Sequence, residues 1–112
     1  MSHRGPRELA LAYVKRFCAA DLDGLAHLLA RDLEFVGPYL RCRTVADYLS
    51  HLRSDPPELA EFEIVAMQLL AADAIGIEWH YRKPGDSVLL RQHFTVRNGR
   101  ITKIRLEFGS GI

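Results

Sequence analysis

The chain has 112 residues, 48% of them hydrophobic and 26% charged, which is the length of one domain and the composition of a folded globular protein rather than a disordered one. Fifteen Lys and Arg against fourteen Asp and Glu leave a net charge of +1, too small a field to draw in nucleic acid or an anionic membrane. The polar opening stretch Met1 to Glu8 lacks the apolar core of a secretory signal, and the longest apolar run, Ile64 to Ile77, is broken by Gln68, Asp73 and Gly76, so a cytoplasmic protein without a membrane span is expected.

Pro6 suits a first helical turn, and Leu9, Tyr13, Val14, Phe17 and Cys18 recur on one face, predicting a helix from about Pro6 to Ala20. Asp21 is a natural N-cap for a short second helix carrying Leu22, Leu25, Leu28 and Leu29. Leu33 to Val36 reads as a brief strand closed by the Gly37-Pro38 turn, with a loop to Arg43 beyond it. Thr44, with Asp47 three residues on, starts a third helix with the stripe Val45, Tyr48, Leu49 and Leu52, which stops before Asp55-Pro56-Pro57. From Leu59 the pattern becomes strands, punctuated at Ala72-Asp73, Lys83-Pro84-Gly85-Asp86 and Asn98-Gly99, the last a strong hairpin signal.

Helices followed by consecutive antiparallel strands predict an α+β domain whose helices cover one sheet face. Alternation puts Ile75, Ile77, Trp79 and Tyr81 on that face, then Leu90, Gln92, Phe94 and Val96, then Ile104, Leu106 and Phe108. Gln92 is the polar exception, and a buried amide must find partners or cost about 1–3 kcal/mol. The opposite face carries Glu78, His80, Arg82, Arg91, His93, Lys103, Arg105 and Glu107; its mixed charge can self-complement across a two-fold axis, so a homodimer through the outer sheet face is expected. His80 and His93 lie there without a third ligand at a familiar spacing, and Cys18 and Cys42 form no C-x-x-C pair, so no metal site is expected and the cysteines read as reduced packing residues. Interspersed acids and the lack of an exposed aromatic platform argue against nucleic-acid binding.

The segments Tyr13-Val-Lys-Arg-Phe-Cys-Ala-Ala-Asp-Leu-Asp-Gly, Phe35-Val-Gly-Pro and His93-Phe-Thr-Val-Arg-Asn-Gly, in this order, resemble the NTF2-like superfamily, most closely its SnoaL-like and ketosteroid isomerase-like branch. The resemblance spans about residues 8 to 109 and implies one domain over 1–112. The implied fold is an α+β cone of the cystatin-like kind, with three N-terminal helices packed on a curved, mostly antiparallel sheet and a pocket at the open end. It also implies site residues. The tyrosine that hydrogen-bonds the substrate oxygen in those isomerases falls on Tyr13, and the protonated aspartic acid of their oxyanion hole falls on Gln92, which donates but cannot titrate. The carboxylate base precedes a proline in that branch; here Gly37 precedes Pro38, and the base is missing. His51, three residues after Tyr48, is the substitute the sequence offers.

Tyr13, Gln92 and His51 are thus the candidate catalytic residues, and Phe17, Phe35, Tyr39, Tyr48, Trp79, Leu90, Phe94 and Phe108 the candidate ligand contacts. The expected ligand is a small hydrophobic, oxygen-bearing molecule of polyketide, steroid or terpenoid type, and the implied chemistry is cofactor-independent isomerisation, cyclisation or hydration. The alternative, favoured by Gly37, is a non-catalytic module that uses the same cone for protein contacts.

Overall fold

The computed structural model describes residues 4–109, so the first three positions of the polar opening stretch lie outside the described residues. The elements run α1 (Pro6–Cys18), α2 (Leu22–Leu28), β1 (Leu29–Val36), β2 (Arg41–Cys42), α3 (Val45–Ser54), β3 (Glu61–Ala71), β4 (Ala74–Lys83), β5 (Asp86–Arg97) and β6 (Arg100–Phe108). This is the expected α+β class, with one correction. Only α1 and α2 precede the sheet; α3 follows β1 and β2, because the Gly37-Pro38 turn, closed by the Gly37 N–H donating to the Leu40 carbonyl at 2.8 Å, folds the chain back along β1 before Thr44 starts a helix. Among the described residues no helix is long and apolar enough to cross a membrane.

Helix ends form where the capping chemistry puts them. Asp21 accepts from the Gly24 N–H at 2.9 Å and Thr44 from the Asp47 N–H at 3.1 Å, each satisfying a donor that a first turn leaves free. The link between α1 and α2 is tight: Ala20 takes a left-handed φ of 55°, the Asp21 N–H donates to the Arg16 carbonyl at 2.9 Å, and Arg16 Nη1 reaches the Gly24 carbonyl at 2.6 Å. A Cβ on Gly24 would lie 2.1 Å from Asp21 Oδ2, so a larger residue there would push the capping carboxylate aside.

β1 begins at Leu29, four positions before the predicted start at Leu33, because the chain passes from α2 into extended backbone with no loop between them. The six strands lie in the order β2-β1-β6-β5-β4-β3, with β1 and β6 parallel and every other pair antiparallel. Asn98 and Gly99, at φ of 54° and 74°, make the predicted β5–β6 turn. Register breaks between Ile64 and Ala66 and between Thr95 and Val96 bend the strands, and the sheet curls so that α1 touches β3, β4, β5 and β6 together. The predicted inward face is the buried one: Ile75, Ile77, Trp79, Leu90, Phe94, Val96 and Ile104 pack against Leu9, Ala10, Tyr13 and Val14 of α1.

Two substitutions at the α1–α2 link should move stability in opposite directions. Ala20→Gly should raise it by about 1 kcal/mol by relieving the left-handed alanine, and Gly24→Ala should lower it by at least as much by expelling the Asp21 cap; urea denaturation followed by circular dichroism reads both.

Candidate functional site

A cavity of about 360 Å³ opens between α1, α3, the Gly37–Leu40 turn and the inner face of β4–β6. Tyr39 and Phe108, 89% and 48% exposed with ring centroids 6.1 Å apart, stand at its mouth. At its floor lie Tyr13, Tyr48, Trp79 and Gln92, none more than 3% exposed. Phe17, Phe35, Leu40, Leu52, Leu90 and Leu106 make most of the remaining wall. A larger cleft of about 570 Å³, lined by Arg31, Asp32, Arg97, Asn98 and Arg100 among others, lies near the β5–β6 turn. It is open polar surface with no buried donor or acceptor at its base, so the smaller, apolar cavity is where the chemistry converges.

The floor is one connected set of hydrogen bonds. Trp79 and Gln92 project inward from neighbouring strands, and the indole Nε1–H donates to Gln92 Oε1 at 2.8 Å. An indole can only donate, so this bond settles which end of the amide is which and leaves the Gln92 NH₂ group as the end that can act on the Tyr13 hydroxyl, whose pKa it draws down. Tyr13 in turn shares a short hydrogen bond with the hydroxyl of Tyr48, brought across from α3. Two hydroxyls hold two protons and share a single bond, so one O–H is left over to donate into the cavity, whichever ring carries it. Among the described residues no buried side-chain nitrogen or oxygen lacks a partner.

Ring packing holds these groups still. Tyr13 stacks on Phe17 at 5.8 Å and meets the edge of Phe94 at 5.2 Å, while Tyr48 stacks on Phe35 at 4.8 Å. Burial pushes the Tyr13 hydroxyl from 10.0 up to about 12, against the pull of its bonds to Tyr48 and Gln92. Burial also lifts Tyr48 well above the ordinary range, and Tyr13 beside it adds to the rise. At neutral pH both are therefore donors, suited to an oxygen that gains negative charge and unsuited to removing a proton.

The structure brings Tyr13 and Gln92 together as their shared inward position implied, and both line the cavity. Of the candidate contacts, Phe17, Phe35, Tyr39, Tyr48, Trp79, Leu90 and Phe108 line the cavity; Phe94 lies behind Tyr13. His51 does not line it. Its side chain is half exposed and 3.6 Å from Asp47, on the flank of α3 outside the cavity lining. The residue that sequence reasoning passed over is Asp55, the only carboxylate in the lining, which was read solely as a helix stop. The signal was available: Tyr48, Leu52 and Asp55 follow i, i+4, i+7 spacing, one helix face carried one residue past the end of α3. Gly37 also lines the cavity, and a Cβ there would sit 3.0 Å from the Phe35 ring, which stacks on Tyr48. A side chain at the missing-base position would press on the Phe35 ring.

No protein-family profile matches the chain, and no curated protein does. Solved structures do match. An NTF2-like protein of unknown function from Burkholderia xenovorans LB400 superposes with a TM-score of 0.80 at 18% identity, over 95% of this chain and 84% of its own. A protein from Kribbella flavida DSM 17836 described as a candidate ketosteroid isomerase gives 0.80 at 17% identity, over 96% and 79%. An LEH-like epoxide hydrolase from M. tuberculosis gives 0.75 at 21% identity, over 91% and 80%. Helices cupped by this strand order, with those superpositions, make the fold NTF2-like.

The raised tyrosine pKa values carry a stability consequence with a definite sign. Below pH 10 folded and unfolded chains both keep the Tyr13 proton and stability is unaffected; between pH 10 and about 12 the unfolded chain releases it first, so stability falls as pH rises. Tyr13 alone should account for a loss of about 3 kcal/mol across that window. Denaturant midpoints measured from pH 8 to 12 should show the decline, and Tyr13→Phe should make it shallower, with Tyr48 supplying the remainder.

Proposed function

We propose that the chain binds a small apolar molecule through one oxygen and catalyses a cofactor-independent proton shift on it, of the isomerase type. The observation that carries this reading is the buried Trp79–Gln92–Tyr13–Tyr48 chain, ending in a spare O–H at the floor of an otherwise apolar cavity. Such a donor stabilises a carbonyl oxygen little in the ground state and more as it becomes an enolate, which is the condition for catalysis rather than mere binding. The base is assigned to Asp55 in place of His51: the carboxylate takes the proton α to the carbonyl, the C–H electron pair moves into the enolate, and Asp55 returns the proton to another carbon of the conjugated system. The fold neighbours described as a candidate ketosteroid isomerase and an epoxide hydrolase are both named for oxygen-bearing substrates, in line with this reading. Leu90 and Phe108 line the cavity rather than fill it, which weighs against the alternative of a non-catalytic module for protein contacts.

The binding half of the proposal is tested with substituted phenols as enolate mimics. Trp79 is the chain's one tryptophan and lies in the cavity wall, so ligand entry should change its fluorescence. Tyr48→Phe should weaken phenol binding roughly tenfold, the equivalent of about 1.4 kcal/mol from one hydrogen bond. No saturable fluorescence change with any phenol would remove the cavity as a ligand site. For the reaction, Asp55→Asn should leave phenol binding in place and lower turnover of an unsaturated cyclic ketone by about 10²–10⁴-fold. Turnover that survives Asp55→Asn would return the base to another residue.

A homodimer through the outer sheet face belongs to the same proposal. Leu70, 49% exposed, lies on that face over Gly76 beside His93, and Arg91 pairs with Glu78 at 3.3 Å across the neighbouring strands. Leu70→Glu should shift sedimentation from dimer to monomer; a chain that sediments as a monomer at all concentrations would overturn the dimer.

A further inference from the structure

Away from the cavity, β2 and the first two turns of α3 bring together three side chains whose donor atoms all lie within 4.8 Å of one another: Cys42, Asp47 and His51. Asp47 and His51 sit at i, i+4 on one helix face, with His51 Nε2 3.6 Å from Asp47 Oδ1. Cys42 comes from the strand that pairs with β1 at Phe35, and it is fully buried while the other two are half exposed.

We infer that Cys42, Asp47 and His51 form a site for a divalent zinc-like ion, closed on the inside by the thiolate and completed on the outside by water. One sulfur, one imidazole and one carboxylate are a borderline-soft donor set of the kind Zn²⁺ prefers. Bond lengths of about 2.0–2.3 Å at tetrahedral angles place neighbouring donors roughly 3.2–3.8 Å apart, and the Asp47–His51 separation of 3.6 Å is already in that range. The remaining contraction falls on two exposed side chains that rotate without disturbing the core.

A nucleophilic triad of Cys, His and Asp is the obvious rival, and the surroundings exclude it. The cysteine is the group sealed from solvent, so an organic substrate cannot reach its sulfur. A bound cation takes the thiolate directly and neutralises the charge that burial opposes. The ion would tie β2 to α3 immediately beside Tyr48, and so hold the helix face that supplies Tyr48, Leu52 and Asp55 to the cavity. The site stands independently of any ligand in that cavity.

The test is titration of the purified, chelator-treated chain with Zn²⁺ by calorimetry and with Co²⁺ by absorption. One equivalent should bind, with a thiolate-to-cobalt charge-transfer band and the visible bands of tetrahedral cobalt. Cys42→Ser should abolish the charge-transfer band. Because the serine variant replaces a core residue, His51→Ala on the exposed helix face is the second variant. It should keep the circular dichroism of the parent and weaken binding by more than the roughly 10–100-fold that loss of even an outer-shell partner costs. Zn²⁺ should raise the melting temperature of the parent and not of His51→Ala. The double substitution His80→Ala with His93→Ala should leave all of this unchanged. Absence of stoichiometric binding, or binding that survives His51→Ala and falls with the sheet histidines, would overturn the site.

Discussion

The hydrogen bond from the Trp79 indole to Gln92 is the constraint on which the cavity floor depends. An amide is nearly symmetric in shape, and in an apolar wall it could face either way at similar packing cost. A partner that only donates removes that freedom, so the NH₂ end must face Tyr13. The order then passes along the chain to Tyr48, a residue 35 positions away on another element. All four groups are buried in low dielectric, where a satisfied network gains strength from each member and a broken one strands several donors at once. The floor is thus preorganised before any ligand arrives.

What holds that floor is the curl of the sheet around α1. The helix contributes Tyr13 and Phe17 to the cavity with Leu9, Ala10 and Val14 in the layer behind, so one helix face serves both core and site. The Gly37-Pro38 turn shapes the opposite wall, and Phe35 on its near side stacks on Tyr48. A Cβ at residue 37 would come within 3.0 Å of that ring, and Asp55 lines the cavity from the end of α3.

Much of this was legible in the residues. Asp21 and Thr44 announced their helices, Asn98-Gly99 its hairpin, and period-two alternation picked out Trp79, Gln92 and Phe94 as inward-facing, because each signal is local and rests on backbone chemistry within a few positions. The misreadings are non-local. Leu28 and Leu29 both fit a helical stripe, and only pairing with β6 shows that Leu29 belongs to a strand. His51 suggested itself as a base through its pKa class, yet its side of α3 is set by packing, while Asp55 was hidden by the two prolines after it. Cys42, Asp47 and His51 follow no recognisable ligand spacing, because β2 and α3 meet only through tertiary contact.

The parallel pairing of β1 with β6 sets a schedule for the chain as it leaves the ribosome. β1 is made early, but its long-term neighbour on that side is β6, the second strand of the β5–β6 hairpin, roughly seventy residues later in register. Until that hairpin emerges, Leu33 and Phe35 have only β2, the nascent helices and whatever chaperone is at hand to cover them. Loops of that length close slowly, and the apolar edge of β1 is open throughout. That edge is therefore the part of the nascent chain most exposed to mispairing until the last hairpin docks.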